Sequence, residues 1–100
     1  MYAYVWEYRV SAEARQSFEA AYGPEGEWVR LFRRGDGYVR TDLWRDRDDS
    51  TRYVTIDHWK SFEAFASFRR RFSDEFEAFD ARFEALTESE RKIGDFGDTR

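Results

Sequence analysis

Between Tyr53 and Phe65 the spacing of hydrophobic positions changes from one period to another. Up to Trp59 apolar and polar residues alternate, with β-branched and aromatic types dominating, as in a strand. From Phe62 onward the large apolar residues recur every three or four positions as Phe62, Phe65, Phe68, Phe72, Phe76, Phe79, Phe83 and Leu86, the stripe of an amphipathic helix. A strand therefore runs directly into a long helical segment, and Ser73 is placed to cap a restart that splits the segment in two. The same alternation marks a first strand over Tyr2 to Val10, a second over Tyr38 to Trp44 and a third from about Thr51 to Trp59, with a weaker final strand over Arg91 to Phe96. Between the first two strands, Ser11 is a candidate N-cap, and Ala14, Phe18, Ala21 and Tyr22 form one apolar side before Gly23-Pro24 ends the helix. A second helical piece follows, with Trp28, Leu31 and Phe32 inward, and Gly35-Asp36-Gly37 punctuates it. Asp46 to Ser50 reads as a polar hairpin connection.

The order strand, helix, strand, strand, helix, strand predicts an α+β, ferredoxin-like (βαββαβ) antiparallel sheet, and right-handed crossovers place its helices on one face. One domain over residues 1–97 with a tail at 98–100 is expected. The aliphatic set Ala3, Val5, Val39, Leu43, Val54 and Ile56 suits packing against helix phenylalanines. The opposite set, Tyr2, Tyr4, Trp6, Tyr8, Tyr38, Arg40, Asp42, Trp44, Tyr53, Thr55, Asp57 and Trp59, is then left uncovered. So large an aromatic patch is not expected on a monomer, so the expectation is a homodimer joined through the aromatic sheet face, with a cavity in each protomer.

Composition narrows the chemistry. Aromatic residues make up 20% of the chain and charged residues 38%, a balance suited to a folded domain. The net charge of −4 argues against a nucleic-acid partner, and Arg33-Arg34 and Arg69-Arg70-Arg71 read as solvated faces beside acidic neighbours. With no cysteine, disulfides, zinc-thiolate sites and thiol catalysis are excluded. No apolar run is long enough for a spanning helix and no leader pattern is present, so the expectation is no membrane association and a cytoplasmic protein. Asp46, Asp48 and Asp49 lack the remaining spacing of a calcium loop, and no metal site is expected. Phosphate loops, Ser-His-Asp sets and H-E-x-x-H patterns do not occur.

The opening strand Tyr4 to Val10, the hairpin and above all Trp59-Lys60-Ser61-Phe62-Glu63-Ala64-Phe65 resemble the antibiotic biosynthesis monooxygenase superfamily of dimeric α/β barrels, over about residues 2–96. The resemblance implies oxygen insertion into an electron-rich phenol or quinol with no cofactor, the hydrophobic aromatic molecule lying in a cavity between sheet and helices. The Asn, Trp and His of the heme-degrading branch fall on Tyr8, Phe68 and Ala78, and the Asn of the cofactor-free pattern is also missing because the chain contains none. Heme degradation is accordingly disfavoured.

Tyr8, Arg40 and Asp57 are the candidate catalytic residues, with Arg40 to stabilise a phenolate or peroxide anion and Asp57 to accept a proton. Tyr4, Trp6, Trp44, His58, Phe65, Phe68 and Phe72 are the candidates for substrate binding. Bland alternatives stand beside each: dimer packing for the strand aromatics, charge pairing for Arg40, Asp42 and Asp57, a structural or surface role for His58, and core for Trp59 and the Phe stripe. The rival to an oxygenase is a non-catalytic dimer that binds a ligand or serves in a stress response.

Overall fold

The computed structural model of the chain describes residues 1–99; position 100, the last of the expected tail, lies outside the described residues. Four strands, β1 (Tyr2–Arg9), β2 (Tyr38–Arg45), β3 (Arg52–Trp59) and β4 (Ser89–Gly97), form one antiparallel sheet in the order β2-β3-β1-β4. Helices α1 (Arg15–Tyr22) and α2 (Glu27–Phe32) connect β1 to β2, and α3 (Phe62–Arg71) and α4 (Ser73–Phe83) connect β3 to β4. All four helices pack on one face of the sheet, which is the ferredoxin-like arrangement. Among the described residues no helix is long and apolar enough to cross a membrane.

Local chemistry accounts for the boundaries. Ser61 caps α3 by accepting the Ala64 N–H at 3.0 Å, which is why the strand-to-helix switch is abrupt. The long Phe-striped segment does split, at Phe72, where the backbone leaves helical geometry (φ −111°, ψ 31°). Ser73 starts the second helix, but its hydroxyl turns to Glu77 at 3.3 Å and caps no N–H group. Ser11 accepts the Ala14 N–H at 3.3 Å in the turn that precedes α1. Gly37 has φ +93° and would place a Cβ 2.7 Å from that of Ala64, so the turn into β2 needs glycine on two counts. In the hairpin, Asp46 accepts the N–H groups of Asp48 (2.8 Å) and Asp49 (3.2 Å), which makes it an Asx turn, as its spacing suggested.

On β1 and β3 the two sheet faces are the reverse of the sequence expectation. Tyr2, Tyr4, Tyr8, Tyr53 and Trp59 are buried under the helices within this single chain. Tyr8 and Tyr53 pack on Phe18 of α1 at ring separations of 5.3 and 4.9 Å, Tyr4 on Phe65 at 4.8 Å, and Trp59 on Phe68 at 5.1 Å and edge-on to Phe32 at 6.0 Å. The physical reason is reach and area. Large aromatic side chains bury the most apolar surface each and span the gap to the helix axes, so they take the face that the fold covers first. Ala3, Val5, Val54 and Ile56, expected inside, lie half-buried on the open face.

A bulge in β2 adds a second correction. Tyr38 pairs with Trp59 but Arg40 pairs with His58, so Val39 is an extra residue and the alternation changes phase behind it. Leu43 therefore lies on the inner face with Thr41, and Arg40, Asp42 and Trp44 on the uncovered one, as expected of each, but the latter three no longer share a face with Tyr4, Tyr8 and Asp57. The open face carries Trp44 and Phe96, 60% and 56% exposed, and a polar rim: Glu7 ion-paired with Arg52 (2.5 Å) and Arg91 (3.1 Å), and Asp42 ion-paired with Arg40 and hydrogen-bonded with His58.

Trp59 is fully buried where β2, α2 and α3 converge. Trp59→Ala should lower unfolding free energy in urea by about 3–5 kcal/mol. Phe62→Ala, at a side chain 52% exposed, should change it by only about 0.5 kcal/mol.

Candidate functional site

The inner face is not filled completely. Between it and α2 and α4 lies a cavity of about 100 Å³, lined by Tyr4, Trp6, Tyr8, Thr41, Thr55 and Asp57 from the sheet, Tyr22, Trp28, Phe32, Phe76 and Asp80 from the helices, and Glu90 from β4. The split of the Phe-striped segment helps to create it. After Phe72 the stripe sets off again as Phe76, Phe79 and Phe83, which pack on Trp28 at 5.0, 5.5 and 6.3 Å and hold that indole as one wall.

Asp57 sits at the buried end, 5% exposed. Thr41 donates its hydroxyl hydrogen bond to Asp57 Oδ1, and Tyr38 lies 2.8 Å from Thr41 Oγ1. Because an ionised Asp57 only accepts, the Thr41 hydroxyl donates to it and Tyr38 donates to Thr41, and the three form a directed chain. Burial pushes the Asp57 carboxyl up to about 7, with the Thr41 hydrogen bond opposing and the charge of Asp42 adding. Burial also pushes the hydroxyls of Tyr4 and Tyr8 well above their usual value and Tyr22 to about 12. The tyrosines therefore stay protonated near neutrality and act as hydrogen-bond donors. Asp57 is the group at the buried end that can exchange a proton there. Trp28 Nε1 and Thr55 Oγ1 are buried with no hydrogen-bond partner, although each is near enough a tyrosine, Tyr22 and Tyr8 respectively, to ease its ionisation.

Of the residues singled out from sequence, Tyr4, Trp6, Tyr8 and Asp57 meet at this cavity. Arg40 does not: it is exposed on the open face and pairs with Asp42 at 3.4 Å, because the Val39 bulge turned it outward. His58 and Trp44 are on that face too, His58 Nε2 lying 3.1 Å from Asp42 Oδ2. Phe65 packs on Tyr2, Tyr4 and Trp59, and Phe68 and Phe72 line a separate recess with Gly35 and Arg71; Phe76 takes the wall position expected of them. Thr41 was hidden by the bulge. Asp80 had a readable signal, since it falls four residues after Phe76 and three before Phe83 and is a charge on an otherwise apolar stripe. Among the described residues no cluster of His, Cys, Asp or Glu is arranged to hold a metal ion.

The family model described as antibiotic biosynthesis monooxygenase matches residues 1–82, from β1 into α4. The chain belongs to the antibiotic biosynthesis monooxygenase family. Solved structures share the monooxygenase-family fold at low identity. SnoaB, a cofactor-independent oxygenase from Streptomyces nogalater, is 24% identical with a TM-score of 0.71, the match covering 99% of this chain and 93% of that one. A Bordetella bronchiseptica protein named for the same family is 17% identical, with a TM-score of 0.76 over 99% and 97% of the two chains. A variant of MhuD with two manganese protoporphyrin IX molecules per active site is 19% identical, with a TM-score of 0.71 over 100% and 96%. A search of curated proteins finds no match.

The position of Asp57 has a measurable consequence for stability. Its carboxyl titrates near 7 when folded and near 3.9 when unfolded, so between these values the folded state holds one proton more and stability falls as pH rises. The contribution is fully present below about pH 4 and lost by about pH 7, on the order of a few kcal/mol. Denaturant melts across this range should show Asp57→Asn gaining stability relative to the parent protein as pH rises, with the difference level above neutrality.

Proposed function

We propose that this chain is an oxygenase that holds a small, electron-rich phenol or quinol in the cavity between sheet and helices and oxidises it with molecular oxygen, without metal or flavin. The observation that carries the reading is Asp57, a carboxyl buried at the inner end of an aromatic-walled space and hydrogen-bonded by Thr41, where burial pushes its pKa up to about 7. Family membership and the SnoaB-like fold support it.

Thr41 and Tyr38 steady the Asp57 carboxylate through their hydrogen-bond chain, and it takes the proton of a ring hydroxyl, or of the CH₂ group of its keto tautomer, leaving a neutral carboxyl and the substrate anion. The substrate anion passes one electron to oxygen, the two radicals combine to a peroxide anion, the proton held by Asp57 returns to make it a hydroperoxide, and loss of water leaves a carbonyl. CH₂ thus becomes C=O: one oxygen atom enters the product, and the other leaves as water with the two hydrogens removed. Tyr4 and Tyr8 contribute protonated hydroxyls to orient the ring. A cavity of about 100 Å³ is smaller than the roughly 150 Å³ apolar cavity that accepts benzene, which argues against a fused system or a porphyrin and means that even a single ring extends into the solvent end.

A homodimer belongs to the same proposal, through the open face and not the aromatic one. Two such faces, each with Val54, Ile56, Trp44 and Phe96 at the surface, would cover one another, with the Glu7, Arg52 and Arg91 rim setting register. Ile56→Arg should turn a dimer into a monomer by native mass spectrometry.

Oxygen-electrode assays with single-ring phenols and quinols test the activity. Asp57→Asn should lower turnover by about 100-fold or more while ligand binding persists. An unchanged rate in that variant would remove Asp57 from the chemistry.

A further inference from the structure

Ionisable side chains around the cavity all carry the same sign. Asp57 closes the buried end, and Asp80 and Glu90, both exposed, stand at the solvent end. No Lys, Arg or His is among the residues that line it. Burial raises the carboxyl of Asp80, with Arg69 opposing and Glu84 adding; burial raises that of Glu90 too, with further push from Asp80 and Glu84. The two acids thus feel one another. Arg69 stacks on Phe76, its guanidinium carbon 3.9 Å from the ring centroid, and makes no ion pair with Asp80 among the described residues. Arg40, which the sequence offered as the anion-stabilising cation, is on the other side of the sheet.

An aromatic space with only carboxylates in it is a poor host for a substrate that becomes an anion, unless the substrate brings the compensating charge. Trp6, Tyr22 and Trp28 bring aromatic rings that attract a cation, and Phe76 already carries the Arg69 guanidinium on its ring. Thr55 Oγ1 and Trp28 Nε1 are buried without a well-formed hydrogen bond, with only the hydroxyls of Tyr8 and Tyr22 near them, and so are open to a ligand.

Taking the oxygenase reading of this site as its basis, we infer that the ligand is a single-ring phenol or quinol bearing a protonated amine, hydroxyl toward Asp57 and ammonium toward Asp80 and Glu90. The register agrees. Asp57 lies opposite Tyr4 and Glu90 opposite Tyr8, on the two flanks of β1, so their Cα atoms are about 16 Å apart by strand geometry. A ring with a short tail, hydrogen-bonded at both ends, bridges that span once side-chain reach is subtracted.

Calorimetric titration at neutral pH and low salt with tyramine, para-ethylphenol and para-hydroxyphenylpropionate separates charge from shape. Tyramine should bind tighter than para-ethylphenol by about tenfold or more, the propionate should bind weakest, and added salt should erode the difference. A double Asp80→Asn, Glu90→Gln variant should bring tyramine down to the level of para-ethylphenol and leave the latter unchanged. Equal binding of the three probes, or no binding of any at millimolar concentration, overturns the inference. Oxygen uptake is read separately. Uptake from neutral phenols with no amine preference overturns the inference and leaves the oxygenase reading in place, whereas an amine preference without uptake from any phenol or quinol sustains the charge assignment and overturns the reaction.

Discussion

Packing of the strand tyrosines and Trp59 against the helix phenylalanines is the interaction on which the rest of this structure depends. It decides which face of the sheet is the inside. Because the layer consists of wide, flat rings from both sides, it excludes water but does not close completely, and the space left among Tyr4, Tyr8, Tyr22, Trp28 and Phe76 becomes the cavity. A carboxyl inside that layer meets low polarity on nearly every side, so the near-neutral titration of Asp57 follows directly from the packing.

Architecture was legible because it is written in periods. The change from alternation to the three-and-four spacing at Trp59, the Gly35-Asp36-Gly37 punctuation and the acidic hairpin each rest on a local rule, and each marks the boundary observed. The direction in which a strand faces is not local. Alternation says that Tyr4 and Val5 point opposite ways, yet which of them meets a helix depends on how far each side chain reaches across the gap. The argument that aliphatic side chains suit phenylalanines gave way to area: rings on rings bury more. The bulge at Val39 was harder still, since an extra residue leaves no mark in a β-branched, aromatic-rich run and yet parts Arg40, Asp42 and Trp44 from the face of Tyr4, Tyr8 and Asp57.

These two geometric facts also redistribute the site chemistry. With Arg40 and His58 on the open face, the cavity keeps donors and acids but loses its expected cation. Membership of the monooxygenase family defines the scaffold, and the reaction must be argued from the groups that remain at the cavity wall. On that wall a base, protonated tyrosine donors and aromatic faces coincide with an acidic opening. That combination, and not the fold, is what supports a small, electron-rich ring as the proposed substrate.

The most direct test of this account is the titration of the Asp57 carboxyl itself, followed by carbon NMR of labelled protein and assigned by comparison with Asp57→Asn. A midpoint near 7 is predicted, well separated from the surface aspartates. A midpoint near the ordinary value of about 4 would mean that water reaches the carboxyl freely, and that the aromatic layer does not enclose the site.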